Sequence, residues 1–313
     1  MPRAARACLP RSPKTATSRS EQPLMTAGCA VKASVPEHIR FDGLHVVLDC
    51  ANGAAYQVAP TAIWELGAKV TSIGVEPNGK NINDKVGSTH VATLQETVVA
   101  SGADIGIALD GDADRLIVVD EHGQVVDGDQ IMALLGCAMR RAGKLTGDGI
   151  VATVMSNLGL ERYLESQHLK LIRAKVGDRY VLEILAQKGW LLGGEGSGHL
   201  LAFDKHSTGD GLVSALQVLQ ACVGSGQTMA QLLEGITLFP QTLINVRLTP
   251  GFDWEGHQPL WDATRAAEAE LGDSGRVLIR ASGTEPLVRV MVEARDEAQA
   301  NACAKRIADT LSA

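Results

Sequence analysis

The 313-residue sequence has six cysteines, Cys8, Cys29, Cys50, Cys137, Cys222 and Cys303, and no two of them lie close together along the chain. That spacing excludes the paired ligands of a zinc cluster and the dense framework of a small disulfide-bonded domain, and it suits a reducing cytoplasm. Long apolar runs are missing as well. Even the stretch 149–155 gives way to Asn157, Glu161 and Arg162, well short of the ~20 residues that cross a bilayer, so no membrane partner is expected. A basic stripe is absent from the body of the chain. Residues 1–34 carry six Lys or Arg against one acid, whereas the remainder carries 23 basic residues against 35 acidic ones. An acidic body without clustered cations does not suit nucleic acid, and any phosphate it binds is expected to be small.

Apart from these absences the composition is that of an ordinary folded protein, 45% hydrophobic and 21% charged, with enough chain for two or three domains. Residues 1–34, with four prolines among Arg and Ser, show no helical or strand periodicity and read as a disordered head outside the fold. Their basic, acid-poor character resembles an organellar transit sequence but lacks an amphipathic stripe. From residue 44 the pattern predicts strand 44–49, helix 54–66, strand 69–75, helix 91–101 and strand 104–110, followed at once by strand 115–120. A second series follows, with helix 130–141, strands 149–155, 169–175 and 190–195, and helices 158–166 and 180–187 between them. Helices 211–223 and 229–234 close it. Short apolar strands alternating with helices imply mostly parallel mixed sheets covered on both faces. At Leu238-Phe239-Pro240 the rhythm changes to strands 242–249, 275–281 and 287–293 with helices 260–271 and 297–311, a small α+β unit with an antiparallel sheet. The expectation is therefore two α/β domains, 35–119 and 120–236, and a C-terminal α+β domain, 237–313.

Four loops carry chemistry. Asp110-Gly111-Asp112-Ala113-Asp114-Arg115 places three carboxylates at alternate positions after a buried strand, where ligands of α/β sheets bind. Three hard oxygen ligands suit magnesium; the alternative is a solvated acidic turn. An EF-hand reading fails because Val118 and Val119 belong to a strand within the required loop. Arg280-Ala281-Ser282-Gly283-Thr284-Glu285-Pro286, with Arg289 beyond, combines guanidinium forks, hydroxyls and turn amides that match a phosphate monoester, or else forms a polar turn on a solvated face. Gly193-Gly194-Glu195-Gly196-Ser197-Gly198-His199 offers a carboxylate, a hydroxyl and an imidazole that suit vicinal sugar hydroxyls, though taken alone a tight polar turn explains it as well. His199 by itself reads as a structural hydrogen-bond donor. In Lys175-Val176-Gly177-Asp178-Arg179, Asp178 fits a helix cap or first turn, leaving Lys175 and Arg179 to steady a phosphate.

Taken in order, Asp-Gly-Asp-Ala-Asp-Arg, Lys-Val-Gly-Asp-Arg-Tyr, Glu-Gly-Ser-Gly-His and Arg-Ala-Ser-Gly-Thr-Glu-Pro-Leu-Val-Arg resemble the loops of the α-D-phosphohexomutase superfamily, over residues 35–313. The stretches 81–90, 174–183 and 279–293 are most similar to phosphoglucosamine mutases, and Gly196 stands where the glucose and mannose enzymes have methionine. The resemblance implies a four-domain isomerase in which a magnesium-bound phosphoserine of the first domain exchanges phosphoryl groups with a hexosamine phosphate through a bisphosphate, serving UDP-N-acetylglucosamine synthesis. It implies magnesium at Asp110, Asp112 and Asp114, phosphoryl stabilisation by Arg115, and sugar contacts from Glu195, Ser197 and His199. Arg280, Ser282, Gly283, Thr284 and Arg289 are implied for the distal phosphate, with Lys175 and Arg179 as further candidates. The sequence departs from the family in having no Ala-Ser-His-Asn-Pro loop, so the serine-bearing domain is expected to be absent and residues 35–41 to be the connection out of it. A catalytically inactive sugar-phosphate binder and a mutase for glucose or mannose phosphates are the alternatives. Nothing in the sequence assigns an oligomeric state.

Overall fold

The computed structural model describes residues 28, 30–249, 251–282 and 285–311. Three sheets follow one another along the chain. The first has the order β2-β1-β3-β4-β5 and comprises β1 (His45–Asp49), β2 (Lys69–Ile73), β3 (Ile105–Leu109), β4 (Leu116–Asp120) and β5 (Val125–Val126). β1 pairs in parallel with β2 and β3, and the β3–β4 and β4–β5 pairs are antiparallel. The second sheet, ordered β7-β6-β8-β9, contains β6 (Gly149–Thr153), β7 (Lys170–Ala174), β8 (Leu192–Gly194) and β9 (Leu200–Ala202), parallel except for β8–β9. The third is wholly antiparallel, β10-β12-β11, built from β10 (Gln241–Arg247), β11 (Gly275–Ala281) and β12 (Leu287–Ala294).

Apolar runs form the inner strands β1, β3, β4 and β6 because both faces are buried, and the outer strands β2 and β7 are more polar and partly exposed. In β1, Val46 and Leu48 point into a core shared by the two α/β units, and Val47 points to a separate cluster under the helix Ala92–Ser101. β6 divides in the same way. Ile150 and Ala152 join the shared core, and Val151 packs with Val181, Leu185 and Trp190 on the far face. The helix Gly211–Ser225 lies against β3, β4 and β9, so one helix joins the two sheets. The C-terminal sheet has its own core with helices Gln258–Leu271 and Glu297–Asp309. Among the described residues no helix is long and apolar enough to cross a membrane.

Three differences from the sequence reading have physical causes. Most of the proposed disordered head, residues 1–27 and 29, lies outside the described residues. Its last part is ordered: residues 28 and 30–32 are helical, Val31 packs on the shared core, Ser34 is buried, and Lys32 pairs with Glu65. The helix expected from residue 54 starts at Val58, because Ala51 and Asn52 take left-handed backbone angles and the Ala54 amide donates to the Gly111 carbonyl. The two- and three-residue strands β5 and β9 are too short to leave a periodic signal.

The C-terminal domain is fastened by a buried ion pair. Arg276 of β11 donates from Nε (2.7 Å) and Nη2 (3.0 Å) to Glu293, its register partner on β12, and from Nη1 and Nη2 to the carbonyls of Val154 and Ser156. Glu293, fully buried, also accepts the Leu158 amide at 2.8 Å.

Candidate active site

β3 and β4 are antiparallel neighbours, and residues 110–115 form the connection between them. Their tight turn collects the three carboxylates: one oxygen each of Asp110, Asp112 and Asp114 lies within 4.8 Å of the others. Asp110 is buried and accepts the Arg115 amide at 3.1 Å. Burial first, and then the Asp114 and Asp112 charges, push its carboxyl up to about 6 against that hydrogen bond. Asp114 Oδ1 is buried with no hydrogen-bond partner among the described residues. Crowded acids and an orphaned oxygen fit a divalent cation, which relieves both. Arg115 stands beside them, its Nε 3.7 Å from Asp110 and 3.9 Å from Asp114.

Residues 78–90 wrap the outside of this turn. The Ser88 amide donates to the Leu109 carbonyl, and the Ile82 side chain lies over Gly111. Asp49, fully buried at the end of β1, accepts the amides of Ala51 (2.9 Å) and Gly87 (2.7 Å) and so ties the wrapping to the sheet.

The glycine-rich loop between β8 and β9 is joined to the same turn by backbone. Leu116 N–H donates to the Gly198 carbonyl at 3.0 Å, and Arg115 bridges to His199. Gly198 has φ +92°, and a Cβ there would lie 2.1 Å from the Leu116 carbonyl oxygen. Only glycine permits so close an approach. His199 Nδ1 is 3.2 Å from Asp114 Oδ2, while its buried Nε2, 4.0 Å from Asp178, has no hydrogen-bond partner among the described residues. Glu195 accepts the Gly177 amide at 2.9 Å through Oε1 and faces the Ser197 hydroxyl at 3.4 Å through Oε2.

The loop 175–179 therefore reaches the site through its backbone. Asp178 begins the helix Asp178–Lys188. Lys175 Nζ lies 5.8 Å above the Tyr180 ring, and Arg179, its side chain 82% exposed, pairs with Glu183 one helical turn away.

On the C-terminal sheet Arg280 and Arg289 are direct cross-strand partners. Like charges placed opposite each other repel. Both Nε atoms are buried without hydrogen-bond partners among the described residues, and burial followed by the Arg289 charge lowers the pKa of Arg280. Arg289 Nη2 reaches Ser282 Oγ at 3.4 Å. Gly283 and Thr284 lie outside the described residues.

The structure thus joins Asp110, Asp112, Asp114, Arg115, Glu195, Ser197 and His199 into one surface, sets Arg280, Ser282 and Arg289 on another sheet, and turns Arg179 to its own helix. Sequence reasoning passed over Asp127-Gly128-Asp129, which lies behind the glycine-rich loop. It repeats the Asp-Gly-Asp of the acidic turn, a visible signal, but it opens a helix.

Models of phosphoglucomutase/phosphomannomutase alpha/beta/alpha domain II, alpha/beta/alpha domain III and the C-terminal domain match residues 26–123, 127–239 and 243–310. The chain is 61% identical over 280 residues to the phosphoglucosamine mutase of Variovorax paradoxus (strain S110), which covers 90% of this chain and 63% of the relative. It is 57% identical over 284 residues to that of Sphingopyxis alaskensis, covering 91% and 64%. The chain thus spans a little under two thirds of the length of the curated relatives it matches. Among solved structures, a phosphoglucomutase/phosphomannomutase family protein of Burkholderia thailandensis shares the fold at TM-score 0.74 and 24% identity, over 92% of this chain and 64% of that one. The N-acetylphosphoglucosamine mutase of Aspergillus fumigatus, solved with GlcNAc-6P and magnesium, does so at TM-score 0.74 and 22% identity over the same shares. This chain belongs to the phosphoglucomutase/phosphomannomutase family.

Proposed function

We propose that this chain forms the metal-, sugar- and phosphate-binding part of a cytoplasmic phosphoglucosamine mutase, an isomerase interconverting glucosamine 6-phosphate and glucosamine 1-phosphate through a bisphosphate. The observation that carries the reading is the backbone fusion of the acidic turn to the glycine-rich loop, in a chain 61% identical to a protein of that name. Its units are 35–119 for the metal turn, 120–236 for the sugar loop and 237–313 for the phosphate arginines.

Asp110, Asp112 and Asp114 would hold magnesium. Bound there, magnesium supplies positive charge against the oxygens of the phosphoryl group in transfer. Arg115 adds a guanidinium on the same side, fixed by its short tether to Asp110. Glu195 and Ser197 accept and donate to sugar hydroxyls, and His199 holds Asp114 in place. Arg280 and Arg289, with Ser282 and the adjoining Gly283 and Thr284, take the phosphate that does not react. Lys175 contributes from the loop beside Glu195, and Arg179 is the most remote candidate. Binding at both ends converts transfer into a positioned event, which is most of what a loose phosphoryl-transfer transition state requires.

The sequence contains no Ala-Ser-His-Asn-Pro loop, so the phosphoryl carrier is not supplied by these residues. A coupled mutase assay with glucosamine 6-phosphate, magnesium and a bisphosphate primer tests the reading. No turnover is expected from the chain alone, and turnover is expected once the serine-bearing domain of a homologous mutase is added in trans. Failure to bind the sugar phosphate, together with silence in both assays, would sink the proposal.

A further inference from the structure

The glycine-rich loop rests on the first turn of the helix Gly128–Arg141. Asp127 caps that helix in a reciprocal box with Gln130. The Gly128 amide donates to the Gly196 carbonyl at 3.0 Å, and a Cβ at Gly128 would lie 2.2 Å from the Glu195 carbonyl oxygen. One residue on, the Asp129 carboxylate lies directly under Gly196, where an added Cβ would meet Oδ2 at 3.2 Å and Oδ1 at 3.5 Å. Asp129 is buried. Its Oδ2 accepts the Asn157 amide at 2.7 Å, and its Oδ1 has no hydrogen-bond partner among the described residues.

Asn157 leads directly to the phosphate side. Its side chain accepts the Phe239 amide (2.9 Å) and donates to the Phe239 carbonyl (2.9 Å), clamping the linker that enters the C-terminal domain. The neighbouring Ser156 carbonyl and Leu158 amide are held by Arg276 and Glu293 of the sheet that carries Arg280 and Arg289. The turn 156–158 is thus a common abutment. Asp129 and the sugar loop press on one side of it, and the linker and the C-terminal sheet press on the other.

We infer that Asp129 is a positioning residue that fixes the sugar loop relative to the phosphate arginines, through the turn 156–158. The inference rests on the reading of Glu195, Ser197, Arg280 and Arg289 as one hexose-phosphate site. Asp129 touches no ligand in this scheme. A ligand that engages only one end of the site is indifferent to it, and a ligand that spans both ends depends on it. Asparagine keeps an acceptor for the Asn157 amide and offers its NH2 to the neighbouring Ser156 hydroxyl, which has no hydrogen-bond partner among the described residues. Alanine removes the acceptor.

Calorimetric titration of the full chain with magnesium alone, with inorganic phosphate and with glucosamine 6-phosphate plus magnesium tests this. Asp129→Ala is expected to weaken glucosamine 6-phosphate about tenfold or more, the scale on which small misplacements act, and to leave the other two dissociation constants within about twofold. Asp129→Asn is expected to restore the sugar phosphate affinity. Should Asp129→Ala fail to fold, Asp129→Ser, which withdraws from Gly196 but keeps a short polar group, serves the same comparison. Equal weakening of all three ligands, or unchanged sugar phosphate binding, would overturn the positioning role. No binding of glucosamine 6-phosphate by the unaltered chain would instead remove the functional reading on which it rests.

Discussion

The acidic turn proposed for magnesium and the arginine pair proposed for phosphate are both charged clusters, yet they are held by opposite means. Around Asp110, Asp112 and Asp114 the polypeptide itself does the holding. Gly198 meets Leu116 backbone to backbone, Ala54 grips the Gly111 carbonyl, and Asp49 ties down Gly87. Across β11 and β12, Arg280 faces Arg289 with two buried Nε atoms that lack hydrogen-bond partners among the described residues. The first arrangement is pinned by backbone contacts that need no ligand. The second sets two like charges face to face, which repel. A site assembled from the two has one end that sets geometry and another whose occupancy relieves repulsion.

The sharpest break in this comparison comes from Gly198→Ala. Its Cβ meets a carbonyl oxygen from a left-handed position, so the chain is expected to lose about 4 kcal/mol of stability, read by urea denaturation, with magnesium binding lost alongside. Arg289→Met is expected to act in the opposite sense on stability. The unliganded protein melts higher because a like-charge pair is gone, while inorganic phosphate binds about 100-fold more weakly, a cost of ~2.7 kcal/mol, read by differential scanning and titration.

A smaller effect comes from the buried acid behind the glycine-rich loop. Burial first, then the Asp127 charge, raises the Asp129 carboxyl to about 7, against the pull of the Asn157 amide. The folded protein therefore holds a proton that the unfolded chain releases near the ordinary aspartate value. The stabilisation is fully present below about pH 4 and is lost as pH rises through about 7. Asp129→Asn is expected to flatten that part of the stability profile and to exceed the unaltered chain above pH 7 by on the order of 2 kcal/mol, measured by denaturation across pH. Smallest of all is Arg179→Ala. Its guanidinium is solvated beside Glu183, so the melting temperature and the glucosamine 6-phosphate affinity are expected to stay unchanged within error.

Much of the fold was legible because β1, β3, β4 and β6 are apolar runs buried on both faces, and the change of rhythm at Leu238-Phe239-Pro240 marks a real change to an antiparallel sheet. The acidic cluster was legible because its three carboxylates are neighbours in sequence. Glu293 was not. It sits in an apolar strand, and only the tertiary approach of Arg276, Leu158 and Ser156 gives it partners. Asp129 was hidden for the same reason, since its burial comes from a loop 67 residues downstream. Arg179 carried its signal openly, as the i,i+4 spacing to Glu183 is the ordinary pairing of a solvated helix face.

The most direct test asks whether the two clusters act as one site. Glucosamine 6-phosphate titrated into the chain with magnesium is expected to bind one to one, about tenfold tighter than inorganic phosphate, because it engages both ends at once. Glu195→Ala should erase that advantage and leave inorganic phosphate unchanged, while Arg289→Met should weaken both ligands. Equal affinities for the sugar phosphate and inorganic phosphate, or sugar phosphate binding undiminished in Arg289→Met, would mean that the glycine-rich loop and the arginine pair do not share a ligand.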